Sequence, residues 1–445
     1  MQFLDLLTKY AVQSSSIEDG LYTTYNVKRG LRNADHTGVL VGLTMVGQVI
    51  GVKDINGVKT PVMGELYYRG IEISELVKGF MEDKRTGFEE TTFLLLFGRL
   101  PNKHELSEFT ELLASHRYLS DSFTKNMILS LRGQDMMNML SRSVLALYSL
   151  DENPDDNSPH NVLQQSMELI AKLPTIIAYS YHAYRHSYLK KSLIIRHPKP
   201  ELGFAENFLY MLKGTGRYSQ LEVDVLDLAL VLHAEHGGGN NSTFTTHVVS
   251  SSGTDTYSAM SASLGSLKGF LHGGANLKVM KMMDSIKKNV RDWTNEEEVS
   301  AYLLKLLEGK AYDKSGKIYG IGHAVYTLSD PRSLILKEKA REIAAAKGRL
   351  DEFNLLELIE RLAPEVFKKY KNTDKVISAN VDFYSGFVYC TLDIPPEIYT
   401  PIFAAARIVG WSAHRMEEII SSKRIIRPAY KGLSNNLSYR PLGDR

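Results

Sequence analysis

The segment 398–413 constrains the fold most strongly, because it is apolar on nearly every side of a helix. Its apolar residues fall on two opposite sides: Ile398, Ile402, Ala405 and Val409 on one, and Ala404, Ile408 and Trp411 on the other. A helix of this kind is buried inside a larger body. Arg407 is its only charge, and a lone buried guanidinium is unfavourable unless an internal or a bound carboxylate pairs with it. The segment therefore predicts a buried helix with an anion beside Arg407.

Most of the remaining chain also has helical spacing. Apolar stripes predict helices at 221–236, 257–268 and 275–287. Residues 44–70 are different: two β-rich runs flank Asn56-Gly57, a pair that accepts the positive φ angles of a tight hairpin. The predicted fold class is therefore mainly α, with a minor N-terminal β-hairpin.

Charged residues are concentrated between Gly273 and Gly386, whereas the flanking segments are more apolar. This shift predicts a small domain, 273–386, inserted into a large helical domain formed by 1–272 and 387–445. Gly273-Gly274 and Ser385-Gly386 are candidate pivots, because glycine absorbs large backbone changes cheaply. A ligand is expected in the cleft between the two domains.

Composition excludes several classes of protein. The 445 residues carry a net charge of +2 and a single cysteine, Cys390, so neither general nucleic-acid binding, an intramolecular disulfide nor a Cys-rich metal cage is expected. No apolar run approaches the roughly 18 residues of a membrane span. Asp5, with no arginine before Arg29, argues against a transit peptide. We therefore expect a cytoplasmic protein without nucleic-acid or membrane partners.

Two histidines, His233 and His236, lie three residues apart where a predicted helix meets three glycines. They can share one face of that helix. The segment has neither a His-Glu-x-x-His motif nor a cysteine pair, so no metal site is expected there. The alternative is a pair of histidines whose hydrogen bonds are satisfied at a helix C-terminus.

Two further histidines lie beside glycine-rich turns. His272 precedes the helix predicted at 275–287, whose positive dipole end favours a neutral, hydrogen-bond-donating imidazole over a cation. The alternative is a turn histidine without a role. His323 follows Gly320 and Gly322, which allow the backbone to approach a flat ligand closely. Asp330-Pro331 marks a helix start, and Arg332 in the first turn opposes the helix dipole, which favours an anionic partner for it.

Asp382 is an isolated carboxylate in the apolar and aromatic run 379–386. If it is buried without a cation, its pKa rises and it becomes a better base near neutral pH. The alternative is an N-cap role for the helix that follows.

Taken in order, these segments resemble citrate synthases. The resemblance is carried by His-Ala-Glu-His-Gly-Gly at 233–238, Leu-His-Gly-Gly-Ala-Asn at 271–276, Gly-Ile-Gly-His-Ala-Val-Tyr at 320–326 with Asp-Pro-Arg at 330–332, Asn-Val-Asp-Phe-Tyr-Ser-Gly at 380–386, and Arg427-Pro428. It implies a homodimer whose subunit has a large helical domain and a small mobile one. It also implies condensation of acetyl-CoA with oxaloacetate and water to citrate and CoA, without a permanently bound cofactor.

The resemblance also implies residue roles. Asp382 would be the base, His272 the donor to the thioester oxygen and His323 the acid that protonates the ketone oxygen. A thioester methyl is a very weak carbon acid, so a carboxylate can remove its proton only if the enolate is stabilised at the same time. Oxaloacetate would contact His236, Arg332, Arg407 and, across the dimer interface, Arg427. The CoA adenine would lie against backbone from Ile318, Tyr319, Gly320, Ile321 and Gly322.

Two main alternatives stay open at this level, and a zinc hydrolase is a more remote third. A 2-methylcitrate synthase acts on propionyl-CoA, which differs by one methylene, and a pocket discriminates a methylene by only about 1–3 kcal/mol. A non-catalytic carboxylate sensor would keep the arginines, although it has no use for Asp382 beside two anions. The chain also departs from many relatives by having Gly237 where they carry an acidic or amide residue.

Overall fold

Helices account for most of the chain in the computed structural model, which describes residues 2–33, 37–323, 325–374, 376–422 and 424–445. The chain divides into two units, Met1–Leu43 and Thr44–Arg445. The fold class predicted from the sequence, mainly α with a small hairpin sheet, is confirmed. Within the described ranges, none of the helices combines the length and the apolar character needed to cross a membrane.

The first unit contains two helices, α1 (Gln2–Ser15) and α2 (Asp19–Thr24), and a 3-10 turn at Arg29–Leu31. An isolated antiparallel bridge joins Arg32 to Gly38. Neither helix has a buried residue.

The second unit begins with the predicted hairpin. Strands β1 (Gly47–Ile55) and β2 (Val58–Tyr68) pair antiparallel, and β3 (Ile71–Glu72) extends the sheet beside β2. Asn56 and Gly57 have φ angles of 56° and 81°, the positive values that a two-residue hairpin turn requires. The turn is closed by the Gly57 N–H, which donates to Asp54 Oδ1 at 2.8 Å.

Helices form most of the second unit. They are α3 (Ile73–Glu82), α4 (Phe88–Phe97), α5 (Lys103–Ser115), α6 (Asp121–Phe123), α7 (Met136–Leu147), α8 (Pro159–Leu189), α9 (Phe204–Lys213), α10 (Gln220–His233), α11 (Asn241–Ser250), α12 (Thr256–Lys268), α13 (Ala275–Asn289), α14 (Glu296–Leu307), α15 (Pro331–Ala346), α16 (Leu350–Lys371), α17 (Val381–Thr391) and α18 (Tyr399–Ser421). Helix α18 contains the segment predicted to be buried, and it packs against α4, α8, α10 and α11.

The predicted burial of α18 is confirmed, since Trp411 and even Arg407 are among the largest fully buried side chains. The helices predicted at 221–236, 257–268 and 275–287 correspond to α10, α12 and α13. Helix α10 ends at His233, three residues earlier than predicted, because the chain turns there toward Gly237, whose φ is 79°.

Ser385 and Gly386, predicted as a pivot, lie inside α17 rather than in a loop. Gly386 serves close packing instead: a Cβ on it would lie 2.8 Å from the Asn276 carbonyl oxygen of α13. The absence of a side chain therefore lets α13 and α17 approach each other. The division into a large and a small domain at 273 and 386 stays a prediction.

Candidate active site

Six residues singled out in the sequence line one cavity of about 150 Å³, although they come from widely separated segments. They are His236, His272, His323, Arg332, Asp382 and Arg407. The wall is completed by Asn240, Leu267, Gly273, Asn380, Val381 and Phe403. Two larger cavities of about 510 Å³ each contain none of the six, so chemistry rather than size identifies the candidate site.

Arg407 reaches this cavity from the middle of α18 and is fully buried, with 0 % of it exposed. Its Nε donates to the His233 carbonyl oxygen at 2.6 Å, and its guanidinium lies 4.7 Å from the centre of the Phe403 ring. Nη1 is buried without a hydrogen-bond partner, and no carboxylate of the described residues lies within 4.0 Å. Burial lowers the pKa of Arg407 to about 10. Of the two predicted partners, a bound anion is therefore the one that the site leaves room for.

Unlike Arg407, Arg332 has a carboxylate partner in the chain, because it forms a bidentate ion pair with Asp330. Its Nε and Nη2 donate to the two carboxylate oxygens at 3.0 and 2.8 Å. Asp330 is also the N-cap of α15, with Pro331 at the first helical position, as predicted. The pair raises the pKa of Arg332 above its ordinary value against the effect of burial. Arg332 is thus a fixed cation, and its Nη1 is not part of the pair.

Asp382 lies in the first turn of α17 and is only partly exposed. The N-cap of this helix is Asn380, whose side-chain oxygen accepts the Asp382 N–H at 3.0 Å, so the alternative that Asp382 is the cap is wrong. Burial raises the pKa of Asp382 to about 6, and the charge of Arg332 opposes this rise. The carboxylate is free of capping and has the perturbed pKa expected of a base near neutral pH.

His272 lies in the turn just before α13. Burial, followed by the charge of Arg407, lowers the pKa of His272 to about 4. The predicted neutral imidazole is confirmed, although burial rather than the helix dipole is the main cause. Its Nε2 lies 3.1 Å from the Ser242 hydroxyl. That hydroxyl donates its one proton to Asn240 Oδ1 at 2.9 Å, so in this arrangement it accepts the hydrogen bond from His272 Nε2.

His323 has a defined tautomer. Its Nδ1 accepts the backbone N–H groups of Val325 and Tyr326 at 3.0 and 2.9 Å. Because Nδ1 is an acceptor, the neutral ring carries its proton on Nε2. Its ring stacks on Tyr326 with centroids 4.7 Å apart.

His236 meets His323 edge to face, with ring centroids 5.2 Å apart. Burial lowers the pKa of His236 well below its usual range. Its Nε2 is buried and has no hydrogen-bond partner among the described residues, and the same holds for both ring nitrogens of His233. The alternative that these two histidines are satisfied at a helix C-terminus is therefore wrong.

The segment predicted to contact CoA, 318–322, runs beside the start of α17. The Gly322 N–H donates to the Ser378 carbonyl at 2.7 Å, and the Asn380 N–H donates to the Gly320 carbonyl at 2.9 Å. Gly320 has a φ of 79°, and a Cβ there would lie 2.8 Å from Phe383. This glycine is therefore needed for packing within the chain, whereas Gly322 has open space around it.

Arg427 is the one predicted oxaloacetate contact that does not line the cavity. It lies in the exposed basic tail 423–445, of which Lys423 falls outside the described residues.

Sequence reasoning missed how the site is held in place, because it gave Asn380 and Tyr68 no role and treated Asp330 only as a helix cap. Asn380 caps α17 and also donates from its Nδ2 to the Gly322 carbonyl at 2.9 Å. Asp330 accepts the Val381 N–H at 3.1 Å and so ties Arg332 to the helix of Asp382. Tyr68 fixes the end of α10, since its hydroxyl accepts the Glu235 N–H at 3.3 Å. The Asn-x-Asp and Asp-x-Arg spacings were visible signals for the first two residues.

Comparison with known proteins gives a consistent result. Residues 36–429 match the family model described as citrate synthase, C-terminal domain. The chain is 35% identical to the citrate synthase of Synechocystis sp. over 384 residues, which cover 86% of this chain and 88% of the relative. It is 32% identical to the 2-methylcitrate synthase of Shewanella oneidensis over 89% of this chain and 96% of the relative. A solved structure of Thermoplasma acidophilum citrate synthase with carboxymethyl coenzyme A and oxaloacetate superposes with a TM-score of 0.76, at 25% identity and coverage of 94% and 99%.

Proposed function

This chain belongs to the citrate synthase family, and from that premise we propose that it condenses acetyl-CoA with oxaloacetate and water to give citrate and CoA. One observation carries the proposal: an unpaired buried guanidinium, a carboxylate with a raised pKa and three histidines all line one cavity of about 150 Å³. A pure carboxylate-binding pocket has no use for Asp382 beside an anionic ligand, whereas an enolising enzyme needs a base there.

Oxaloacetate would bind first, because its two carboxylates supply the anions that the cavity lacks. Arg407, without an internal carboxylate partner, would pair with one of them. Arg332, fixed by Asp330, would offer its remaining nitrogen, and His236 would add a polar contact from its unpartnered Nε2. We further propose that Arg427 is contributed by the second subunit of a homodimer, since it is absent from the cavity of its own chain.

Asp382 would then remove a proton from the methyl group of acetyl-CoA. A pKa of about 6 makes its carboxylate a stronger base than an ordinary aspartate, yet leaves it largely deprotonated at pH 7. His272 would donate a hydrogen bond to the thioester oxygen as negative charge develops there. A neutral imidazole suits this role, because it still carries one N–H that can stabilise the enolate by a hydrogen bond.

The enol carbon would attack the ketone carbon of oxaloacetate, and His323 would give its Nε2 proton to the ketone oxygen as the carbon–carbon bond forms. The two backbone N–H groups on Nδ1 hold that proton on the correct side of the ring. Water then cleaves the thioester bond of citryl-CoA, which releases citrate and CoA.

The CoA contacts and the domain motion are further parts of this proposal. The small domain, 273–386, would hold the CoA adenine against the backbone of 318–322 and close over the large domain, 1–272 and 387–445. Closure would exclude water until the carbon–carbon bond is made. We also propose a cytoplasmic location, which rests on the single cysteine.

The direct test is release of the CoA thiol from acetyl-CoA, measured with and without oxaloacetate. We expect release only when oxaloacetate is present, and no requirement for a metal, so a chelator should leave the initial rate intact. His272→Ala and Asp382→Asn should lower turnover at least 100-fold, while calorimetry shows that both variants still bind oxaloacetate. Asp374→Asn, a change at an exposed carboxylate, is the matched control and should keep full activity.

Other outcomes separate the alternatives. Faster thiol release from propionyl-CoA than from acetyl-CoA would identify a 2-methylcitrate synthase. Oxaloacetate binding without thiol release from either substrate would identify a non-catalytic sensor. Full turnover by Asp382→Asn would refute the assignment of the base.

A further inference from the structure

A cluster of two histidines and a glutamate lies outside the candidate active site. It consists of His247 on α11 and His414 and Glu417 on α18, and is called here the His-His-Glu cluster. His247 Nε2 and His414 Nδ1 lie 3.1 Å apart, and Glu417 Oε2 lies 3.8 Å from the same His414 nitrogen. The three potential ligand atoms all lie within 4.8 Å of one another. None of these residues lines the cavity of about 150 Å³.

Each member of the cluster has a partner that orients it. The other ring nitrogen of His247, Nδ1, lies 2.8 Å from Glu418 Oε2, and that of His414, Nε2, lies 3.0 Å from Glu235 Oε1. The Met45 N–H donates to Glu417 Oε1 at 2.6 Å. A carboxylate on the far nitrogen of each histidine is the outer shell typical of metal-binding histidines, because it fixes the tautomer and raises ligand basicity.

With these partners in place, the cluster contains unpaired electron pairs that a bound cation would stabilise. If each histidine gives its N–H to its carboxylate, two ring lone pairs face each other at 3.1 Å. Glu417 Oε2 is buried without a hydrogen-bond partner, as are one oxygen each of Glu235 and Glu418. Among the described residues, no lysine or arginine nitrogen lies within 4.0 Å of these three carboxylates. The cluster is therefore a largely buried group beside three carboxylates, and the ligand atoms of His247, His414 and Glu417 lie within 4.8 Å of one another.

We propose that the His-His-Glu cluster binds a divalent transition metal ion, with Zn²⁺ the best fit. Two imidazole nitrogens and one carboxylate oxygen are a ligand set that Zn²⁺ accepts, and bonds of about 2.0–2.1 Å in a tetrahedral site place neighbouring ligand atoms roughly 3.3–3.4 Å apart. The separations of 3.1 and 3.8 Å bracket that spacing. The Thr44 hydroxyl, 3.4 Å from His414 Nδ1, or a water molecule would complete the coordination.

The ion would act as a structural clamp on the glycine loop 237–239. The Gly237 N–H donates to Glu235 Oε1, the same oxygen that accepts His414 Nε2. Gly238 lies against the cluster, since a Cβ on it would be 3.5 Å from His247 Nε2. This loop follows His236 directly, so an ion at the cluster would hold the chain where it leaves the candidate active site.

The test uses the full chain, stripped with a chelator and titrated with Co²⁺, whose visible d–d absorption reports coordination by nitrogen and oxygen. We expect one Co²⁺ per chain, displacement of it by Zn²⁺, and a higher melting temperature for the Zn²⁺-loaded protein than for the stripped protein. Thiol release is not a readout of this test, because the proposal concerns metal affinity and protein stability.

Two variants locate the ion. His247→Asn keeps an amide N–H for Glu418 but removes the ligand nitrogen, and Glu417→Gln keeps an acceptor for the Met45 N–H but removes the charge. Each should weaken Co²⁺ binding by about 100-fold or more. His104→Asn is the matched control, because His104 faces Glu108 at 3.1 Å on the exposed surface, and it should bind Co²⁺ like the parent protein.

The proposal is overturned if the stripped protein binds no Co²⁺, or if both variants bind it as tightly as the control. Should the variants fail to fold, X-ray absorption of the Zn²⁺-loaded parent protein decides: two imidazole ligands support the cluster, and a shell without imidazole contradicts it.

Discussion

Replacing Asp382 with asparagine is expected to stabilise the protein at pH 8 while it removes the proposed base. Burial raises the pKa of Asp382 from its ordinary value of 3.8 to about 6. When a pKa is higher in the folded than in the unfolded state, ionisation of the group opposes folding. The full free-energy penalty applies at pH values above the folded-state pKa, and almost none applies below the unfolded-state pKa. With 1.36 kcal/mol for each pKa unit, the penalty at pH 8 is about 3 kcal/mol. The partial exposure of Asp382 makes this an upper value.

The assay is equilibrium unfolding in denaturant for the parent protein and Asp382→Asn, at pH 8 and pH 5. The variant should be more stable by up to about 3 kcal/mol at pH 8 and by about half of that at pH 5, where much of the native carboxyl is already protonated. Asp374→Asn is the control of opposite sign. Lys368 lowers the pKa of Asp374, so removal of the Asp374 carboxylate should not stabilise the protein. A variant that is less stable at pH 8, or equally stabilised at both pH values, would refute the reasoning.

Three further predictions concern the same cavity. The acid limb of kcat/KM for acetyl-CoA should fall near pH 6, since Asp382 must be deprotonated; a limb near pH 4 in the pH–rate profile would contradict this. Arg407→Met should weaken oxaloacetate binding about 100-fold in calorimetry without loss of stability, because it removes a buried charge that lacks an internal partner; a less than threefold change would count against the assignment. Asn380→Ala should lose about 1 kcal/mol of stability with the α17 cap and lower kcat more than oxaloacetate affinity; unaltered unfolding and turnover would show that this residue positions nothing.

The parts of the fold that the sequence predicts are those set by local pattern. The all-round apolar character of α18 specifies its burial, and Asn56-Gly57 specifies the hairpin turn. The cavity residues could also be found, because each combines an unusual side chain with a glycine turn or an isolated charge. Arg407 is the clearest case, since a lone cation on an apolar helix has to meet an anion.

What could not be predicted depends on which segments meet in space. The choice of Asn380 rather than Asp382 as the α17 cap depends on where the helix starts, which is the least certain feature of a pattern. Gly320 was interpreted as space for a ligand, yet Phe383 fills the space beside it. The His-His-Glu cluster joins residues 167 positions apart, and only the i, i+3 spacing of His414 and Glu417 gave a local sign of it.

The central claim is that Asp382, His272 and His323 act on one acyl group beside an oxaloacetate held by Arg332 and Arg407. A crystal structure of Asp382→Asn with oxaloacetate and acetyl-CoA tests it most directly. We predict both carboxylates on guanidinium groups, the acetyl methyl in contact with residue 382 and the thioester oxygen within hydrogen-bond distance of His272. Oxaloacetate bound away from Arg407, or an acetyl group facing neither residue 382 nor His272, would contradict the account.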